Sequence, residues 1–134
     1  MWNTGYLGWD EGTSAENAYI QEINVKEESL VGLISVSDYA YAGGSECTAI
    51  EYDSCGSSNW LLLKNKYYWT IIPDAIDEYY YWYIHADGFA NSDSADTDDP
   101  NSVRPSVYLS SDVQIVGGTG EITVSETTGP YILK

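Results

Sequence analysis

The sequence predicts an α+β fold of short antiparallel strands, one or two helices and a high loop content. Three observations carry this expectation. Thr13-Ser14-Ala15-Glu16 is a helix-start signal followed by a stretch with helical period. Runs of β-branched and aromatic residues, such as Leu30 to Val36 and Tyr68 to Ile72, are short and bounded by Gly, Pro, Asn and Ser. Three further strand-like pieces finish the chain, and the turn-rich segments between the elements are long. At 134 residues the chain suits one domain, 1–134, with a sizeable core.

Each element follows from local chemistry. The first signal predicts a helix over about residues 14–24, with Ala15, Ala18, Tyr19 and Ile23 as its apolar face. Leu30 to Val36 reads as a buried strand. Ser37-Asp38 then caps a short second helix through Tyr39-Ala40-Tyr41-Ala42, ended by Gly43-Gly44. A turn-rich segment with both cysteines follows. Trp60 to Leu63 and Tyr68 to Ile72 read as strands connected through Asn65, and Pro73-Asp74 breaks the pattern. Residues 79–85 form a further strand, and residues 86–102, which carry neither period, form a loop. Ser106 to Leu109, Val113 to Val116 and Glu121 to Val124 are strand-like, with Gly117 to Gly120 as a turn. Pro130 to Leu133 supplies a terminal strand. Trp60, Trp69 and Tyr108, flanked by aliphatic strand residues, are assigned to the core.

Composition narrows the function. Hydrophobic content of 43% argues against a disordered chain. A net charge of −16, with five basic residues, argues against nucleic acid and against direct contact with an anionic membrane. Such acidity fits an exported domain, a cation site or a basic partner, and solubility alone would also account for it. No run is long enough to span a bilayer, and the residues after Met1 lack the pattern of a signal peptide. The spacing of Cys47 and Cys55 is wrong for a CxxC site. A disulfide between them would close a small loop, contributing about 2.5 kcal/mol in the chain-entropy model, and would imply an oxidising compartment. Two free thiols are the other reading.

The most informative stretch is Tyr79 to Asn101. It opens with Tyr79-Tyr80-Tyr81-Trp82-Tyr83 and continues through Asp, Ser, Asn, Ala and Gly. This is the composition of antibody recognition loops, in which rigid Tyr supplies contact area and small polar residues adapt around it. Strand alternation places Tyr79, Tyr81, Tyr83 and His85 on one face, with Tyr80, Trp82 and Ile84 pointing inward. The candidate ligand-binding residues are therefore Tyr79, Tyr81, Tyr83, His85, Asp87, Asn91 and Asp93, on a surface spanning about residues 74–102. Arg104 is expected to pair with an acid of the preceding loop.

Several segments together resemble a known family: Leu33 to Ala42, Trp60-Leu61, Trp69-Thr70, Val103-Arg104-Pro105-Ser106-Val107-Tyr108-Leu109, Ser111 to Ile115, Gly117 to Gly120 and Gly129-Pro130-Tyr131. They look like the C-terminal domains of pilin-like and other surface proteins of gut bacteria. Those domains have the C-type-lectin-like fold, in the branch shared with formylglycine-generating enzymes. The resemblance spans nearly the whole chain and is most specific from Val103 to Gly120. It implies a bacterial cell-surface or pilus-associated adhesion domain, with an N-terminal anchor helix that this sequence does not contain. Members of the fold include variable proteins of diversity-generating retroelements, in which adenine-directed mutagenesis randomises chosen codons before the final core strands. Residues 79–101 occupy that position. Tyr, Asp, Ser, Asn, His, Ile, Ala, Thr, Phe and Gly are all reachable from an Asn codon through its adenines, whereas Glu78 and Trp82 are not and would be fixed.

The resemblance implies a protein or glycan ligand on another cell or host surface, or pilus subunits as neighbours. Two alternatives stand beside it: a carbohydrate-binding lectin, and a structural pilus subunit without a ligand. No cofactor is expected. The alternative is calcium held by oxygens of Asp96, Asp98, Asp99 and Asn101. Asp99-Pro100-Asn101 resembles the sugar-binding tripeptide of calcium-dependent lectins, but their Trp-Asn-Asp motif is missing. No catalysis is expected. His85 is the only histidine, and no nucleophile can be assigned to it. The copper-binding cysteine pair of the formylglycine-generating enzymes lies near the end of their domain, unlike Cys47 and Cys55.

Overall fold

The structure is a computed structural model that describes residues 1–8, 14–47, 49–50, 55–56, 59–96, 101–119 and 131–134. Its elements in chain order are β1 (Trp2–Asn3), α1 (Ala15–Glu22), β2 (Lys26–Glu27), β3 (Gly32–Leu33), α2 (Val36–Ala42), β4 (Tyr68–Pro73), β5 (Tyr80–Ile84), β6 (Ala90–Ser94), β7 (Pro105–Ser106), β8 (Ile115–Gly117) and β9 (Ile132–Leu133). A short 3-10 turn, Gly44–Glu46, follows α2. Two helices with short antiparallel strands in small sheets make the fold α+β. The largest sheet has the order β4-β5-β6, while β1 pairs with β2, β3 with β7 and β8 with β9.

Both helices start where a serine satisfies their free amides. Ser14 accepts from the Asn17 amide at 3.3 Å, one residue after the predicted start; Thr13 lies outside the described residues. Helix α2 begins inside the segment expected to be a strand. The Ser35 hydroxyl accepts from the Asp38 amide at 3.0 Å and the Asp38 carboxylate accepts from the Ser35 amide at 3.2 Å. That reciprocal capping box overrides the β-branched run, so only Gly32 and Leu33 of it are paired as strand.

The inward stripe of α1 also differs from expectation. Ala18 and Glu22 are fully buried, whereas Tyr19 is exposed. The Glu22 carboxylate accepts from the Ser37 amide at 3.0 Å and from the Ser37 hydroxyl. It thus serves the open N-terminus of α2 from the end of α1, where positive dipole and free amides favour a carboxylate. Burial nevertheless pushes its pKa up from 4.5 to about 7, outweighing the Ser37 hydrogen bonds that pull it down.

The core joins both helices to the main sheet through Ala18 of α1, Val36, Tyr39 and Ala40 of α2, and Tyr68, Ile72, Trp82 and Ile84. Three buried aromatics carry a polar tip, and each tip ties down a distant segment. Trp82 Nε1 donates to the Leu7 carbonyl at 3.0 Å, the Tyr39 hydroxyl to the Gly88 carbonyl at 3.0 Å, and the Tyr68 hydroxyl to the Leu61 carbonyl at 2.9 Å. Burial raises both tyrosine pKa values, so both hydroxyls keep their protons and remain donors.

One predicted strand is a turn and another is largely irregular. Around Trp60 the chain folds back: buried Asn59 accepts from the Leu61 amide through its side chain and from the Leu62 amide through its carbonyl, and its amide group donates to the Tyr39 carbonyl at 2.7 Å. This turn sends Leu61 into the core and leaves Trp60 69% exposed, so Trp60 is not a core residue. Tyr108 is also exposed; its ring lies 4.5 Å from that of Trp2. Of the Ser106 to Leu109 run only Ser106 is strand, as the end of β7 (Pro105–Ser106), which pairs with Gly32–Leu33. Conversely, part of the predicted loop 86–102 is strand β6, in full antiparallel register with β5 from Tyr80↔Ser94 to Ile84↔Ala90. Glu121 to Val124 lies outside the described residues.

Candidate functional site

Strand alternation divides β5 as its sequence requires, with one exception. Trp82 and Ile84 are fully buried, and Tyr81 and Tyr83 face outward. Tyr80, expected to point inward, lies near the strand end and is exposed. Register places Tyr83 between Trp69 on β4 and Asn91 on β6, and Tyr81 opposite Asp93. The outer face of the sheet thereby gathers Tyr81, Tyr83, Asn91 and Asp93. Asn91 Nδ2 donates to the Tyr83 hydroxyl at 3.3 Å, which orients the ring.

A chain of rings runs along this face. Trp69 meets Tyr83 edge-on with centroids 5.8 Å apart; Tyr83 lies 6.2 Å from Tyr67; Tyr67 meets His85 edge-on at 4.6 Å; His85 stacks on Phe89 at 4.2 Å. Such pairs contribute about 0.5–1.5 kcal/mol each beyond the area they bury, so the rings hold one another in place without needing the core. At one end, Trp69 and Tyr81 open into an apolar cleft of about 300 Å³ with Leu33, Ile71, Ala95 and Val103 on its walls.

The far end of the ladder is held by the turn between β5 and β6. His85 and Phe89 close it, with the His85 amide donating to the Phe89 carbonyl at 2.8 Å and the Gly88 amide returning to the His85 carbonyl at 2.9 Å. Gly88 takes φ +99°, as the left-handed position of a three-residue hairpin demands. It also packs on Gly56: a Cβ on Gly88 would lie 2.3 Å from Gly56 Cα. Cys47 and Cys55 form a disulfide, which closes the segment that carries Ile50 and leads into Gly56. The Ile50 carbonyl accepts from the Ala90 amide at 2.7 Å, so the closed loop braces the hairpin beneath the site. In the turn, His85 Nδ1 accepts from the Asp87 amide at 3.1 Å and lies 3.3 Å from Asp87 Oδ2. The amide bond assigns the lone pair to Nδ1; the carboxylate contact becomes an ion pair only on protonation.

Of the residues singled out in the sequence, Tyr81, Tyr83, His85, Asn91 and Asp93 are brought together, and Asp87 flanks them in the turn. Tyr79 stands apart, 68% exposed, before β5 and without a ring contact among the described residues. Its amide is held by the Asp77 carboxylate at 3.0 Å. Asp98 and Asp99 lie outside the described residues. Asp96 accepts from the Ser94 hydroxyl, and Asn101 is half-buried. Among the described residues no cluster of three His, Cys, Asp or Glu side chains could hold a metal ion. Arg104 has a different partner from the acid expected: its guanidinium donates to the Leu61 carbonyl and sits 5.7 Å over the Tyr68 ring.

Tyr67 and Phe89 were missed by sequence reasoning, and Trp69, assigned there to the core, is half-buried on the outer face because it alternates with buried Tyr68 and Thr70. The signal for Tyr67 and Trp69 was present, since they alternate with buried Tyr68 just as Tyr81 and Tyr83 alternate with Trp82. No helix among the described residues is long and apolar enough to cross a membrane. No protein-family model matches the chain, and no curated protein or solved structure matches it.

Proposed function

We propose that the chain is an extracellular ligand-binding domain whose recognition surface is the outer face of β4-β5-β6. One observation carries the reading: a continuous ladder of outward rings, from Trp69 through Tyr83, Tyr67 and His85 to Phe89, lies on the opposite side of the sheet from the core residues Tyr68, Trp82 and Ile84. A folding core gains little from such a face, whereas a partner can bury it around rigid anchors. Asn91, Asp93, His85 and Asp87 border the rings with polar groups. The ligand is a protein on another cell or host surface, and the reading assigns no catalytic step. The Cys47–Cys55 disulfide supports an oxidising location.

The α+β architecture also supports the C-type-lectin-like fold suggested by the resemblance, with a variable surface of the retroelement type. On that reading the outward positions 81, 83, 91 and 93 differ between natural alleles while Trp82 and Ile84 stay constant. The lectin alternative draws on the same rings, because sugars stack on exposed aromatics.

The test is to probe protein and glycan arrays with the folded domain and with a Tyr81→Ala/Tyr83→Ala double variant. Protein ligands captured by the native domain and lost by the variant support the proposal. Glycan signals abolished by a calcium chelator turn it into a calcium-dependent lectin. Ligands retained by the double variant overturn it.

A further inference from the structure

We infer that the cleft beside the ladder is an anchor pocket for an apolar side chain, aromatic above all, presented by a positively charged peptide segment of the partner; this rests on the recognition-surface reading above. The cleft holds about 300 Å³ and is walled by Leu33, Trp69, Ile71, Tyr81, Ala95 and Val103. That is the lower end of the size of ligand pockets and suits one large side chain. The lining is mainly apolar and carries no charge; Thr70 also contributes to it, but its hydroxyl donates to the Trp82 carbonyl at 2.8 Å, so an ionised group entering the cleft would lose its hydration without a charged partner. An aromatic or leucine side chain would lose only apolar surface to water.

The surroundings set the charge of what carries that side chain. Asp93 stands opposite Tyr81 in the β5–β6 register, and Asp96 directly follows Ala95 of the cleft wall. The nearest basic residue in sequence, Arg104, follows Val103 but is committed to the Leu61 carbonyl and the Tyr68 ring. Among the described residues no basic side chain lines the cleft, and the whole chain carries −16. Lysines or arginines beside the anchor gain from the carboxylates and can lie over the exposed ring faces of the ladder. An acidic partner meets like charge.

The experiment is an NMR titration of the native domain at low salt. The probes are three pentapeptides, Lys-Lys-Phe-Lys-Lys, the same with Ala in place of Phe, and the same with Glu in place of every Lys. The proposal expects the first to shift the Trp69 indole and Ile71 methyl signals saturably. It expects binding about tenfold or more weaker without the Phe ring, and no saturation for the acidic peptide. Ala95→Phe, which fills the cleft, should abolish the shifts, and Val103→Phe at an exposed wall position gives an independent block if the first variant folds poorly.

Equal affinity of the Phe and Ala peptides overturns the pocket, as does binding that survives both filling variants. If the filling variants leave peptide binding intact while Tyr83→Ala weakens it, the ladder stands and the pocket falls. If no peptide binds, the pocket falls, and the array comparison alone decides the surface.

Discussion

Glu22→Gln should change the pH dependence of stability more than any other single substitution at a described residue. Glu22 is fully buried, and its pKa rises from 4.5 to about 7 on folding. Below pH 4.5 the group is protonated in folded and unfolded chains alike. Between 4.5 and about 7 the unfolded chain releases this proton while the folded chain keeps it, so stability falls as pH rises through the window. Above about 7 the loss is complete. The shift amounts to roughly 3 kcal/mol. Glutamine removes the titration and keeps an acceptor for the Ser37 amide and a donor for its hydroxyl.

The other carboxylates titrate equally in both proteins, so they cancel in the difference. The stability of the Glu22→Gln variant relative to the native chain should therefore rise by roughly 3 kcal/mol between pH 4.5 and pH 8, or about 10 °C in Tm for a chain of this size. Urea unfolding of both proteins across that range, followed by Trp fluorescence, measures it. A difference that stays flat within about 0.5 kcal/mol would refute the claim that folding buries an ionisable Glu22 at the α2 terminus.

Other substitutions test how the site is supported. Tyr39→Phe removes the donor to the Gly88 carbonyl and should cost about 1–3 kcal/mol by leaving a buried acceptor unpaired, with faster amide exchange in the 85–89 turn. Gly56→Ala places a Cβ 2.6 Å from the Asp87 carbonyl oxygen and should destabilise by about 2 kcal/mol or more in thermal unfolding, while loosening the same turn. Trp60→Ala should change stability by less than about 0.5 kcal/mol, against the 3–5 kcal/mol that a core tryptophan would lose. Reducing the Cys47–Cys55 disulfide should cost about 2.5 kcal/mol and speed exchange at the Ala90 amide, which bonds into the closed loop.

The outward face of β5 was legible because period-two alternation acts locally. Once residues 79–85 are read as strand, Trp82 and Ile84 must turn inward and Tyr81 and Tyr83 outward. The class of fold was legible for a similar reason, since serine caps and short β-branched runs announce themselves in sequence. What escaped depended on competition or on distant partners. A capping box at Ser35 and Asp38 outweighed strand propensity across Ile34 to Val36. Asn59 made a buried turn that expelled Trp60, and nothing in the flanking leucines signals it. Strand β6 is Ala-Asn-Ser-Asp-Ser, a poor strand former alone, and it is held by complete pairing with β5. Glu22 was not singled out in the sequence, because its partner, the Ser37 amide, comes from the other helix of the pair.

The central claim is that the ladder on β4-β5-β6 makes the contact with ligand. The most direct measurement is the affinity of three proteins for the strongest protein ligand from the array, by calorimetry: native, Tyr83→Ala, and Tyr131→Ala as an exposed tyrosine off the ladder. The account predicts a loss of about tenfold or more for Tyr83→Ala, with Tm showing that it remains folded, and native affinity for Tyr131→Ala. Equal affinity of the native and Tyr83→Ala proteins, or a larger loss at Tyr131, would contradict it.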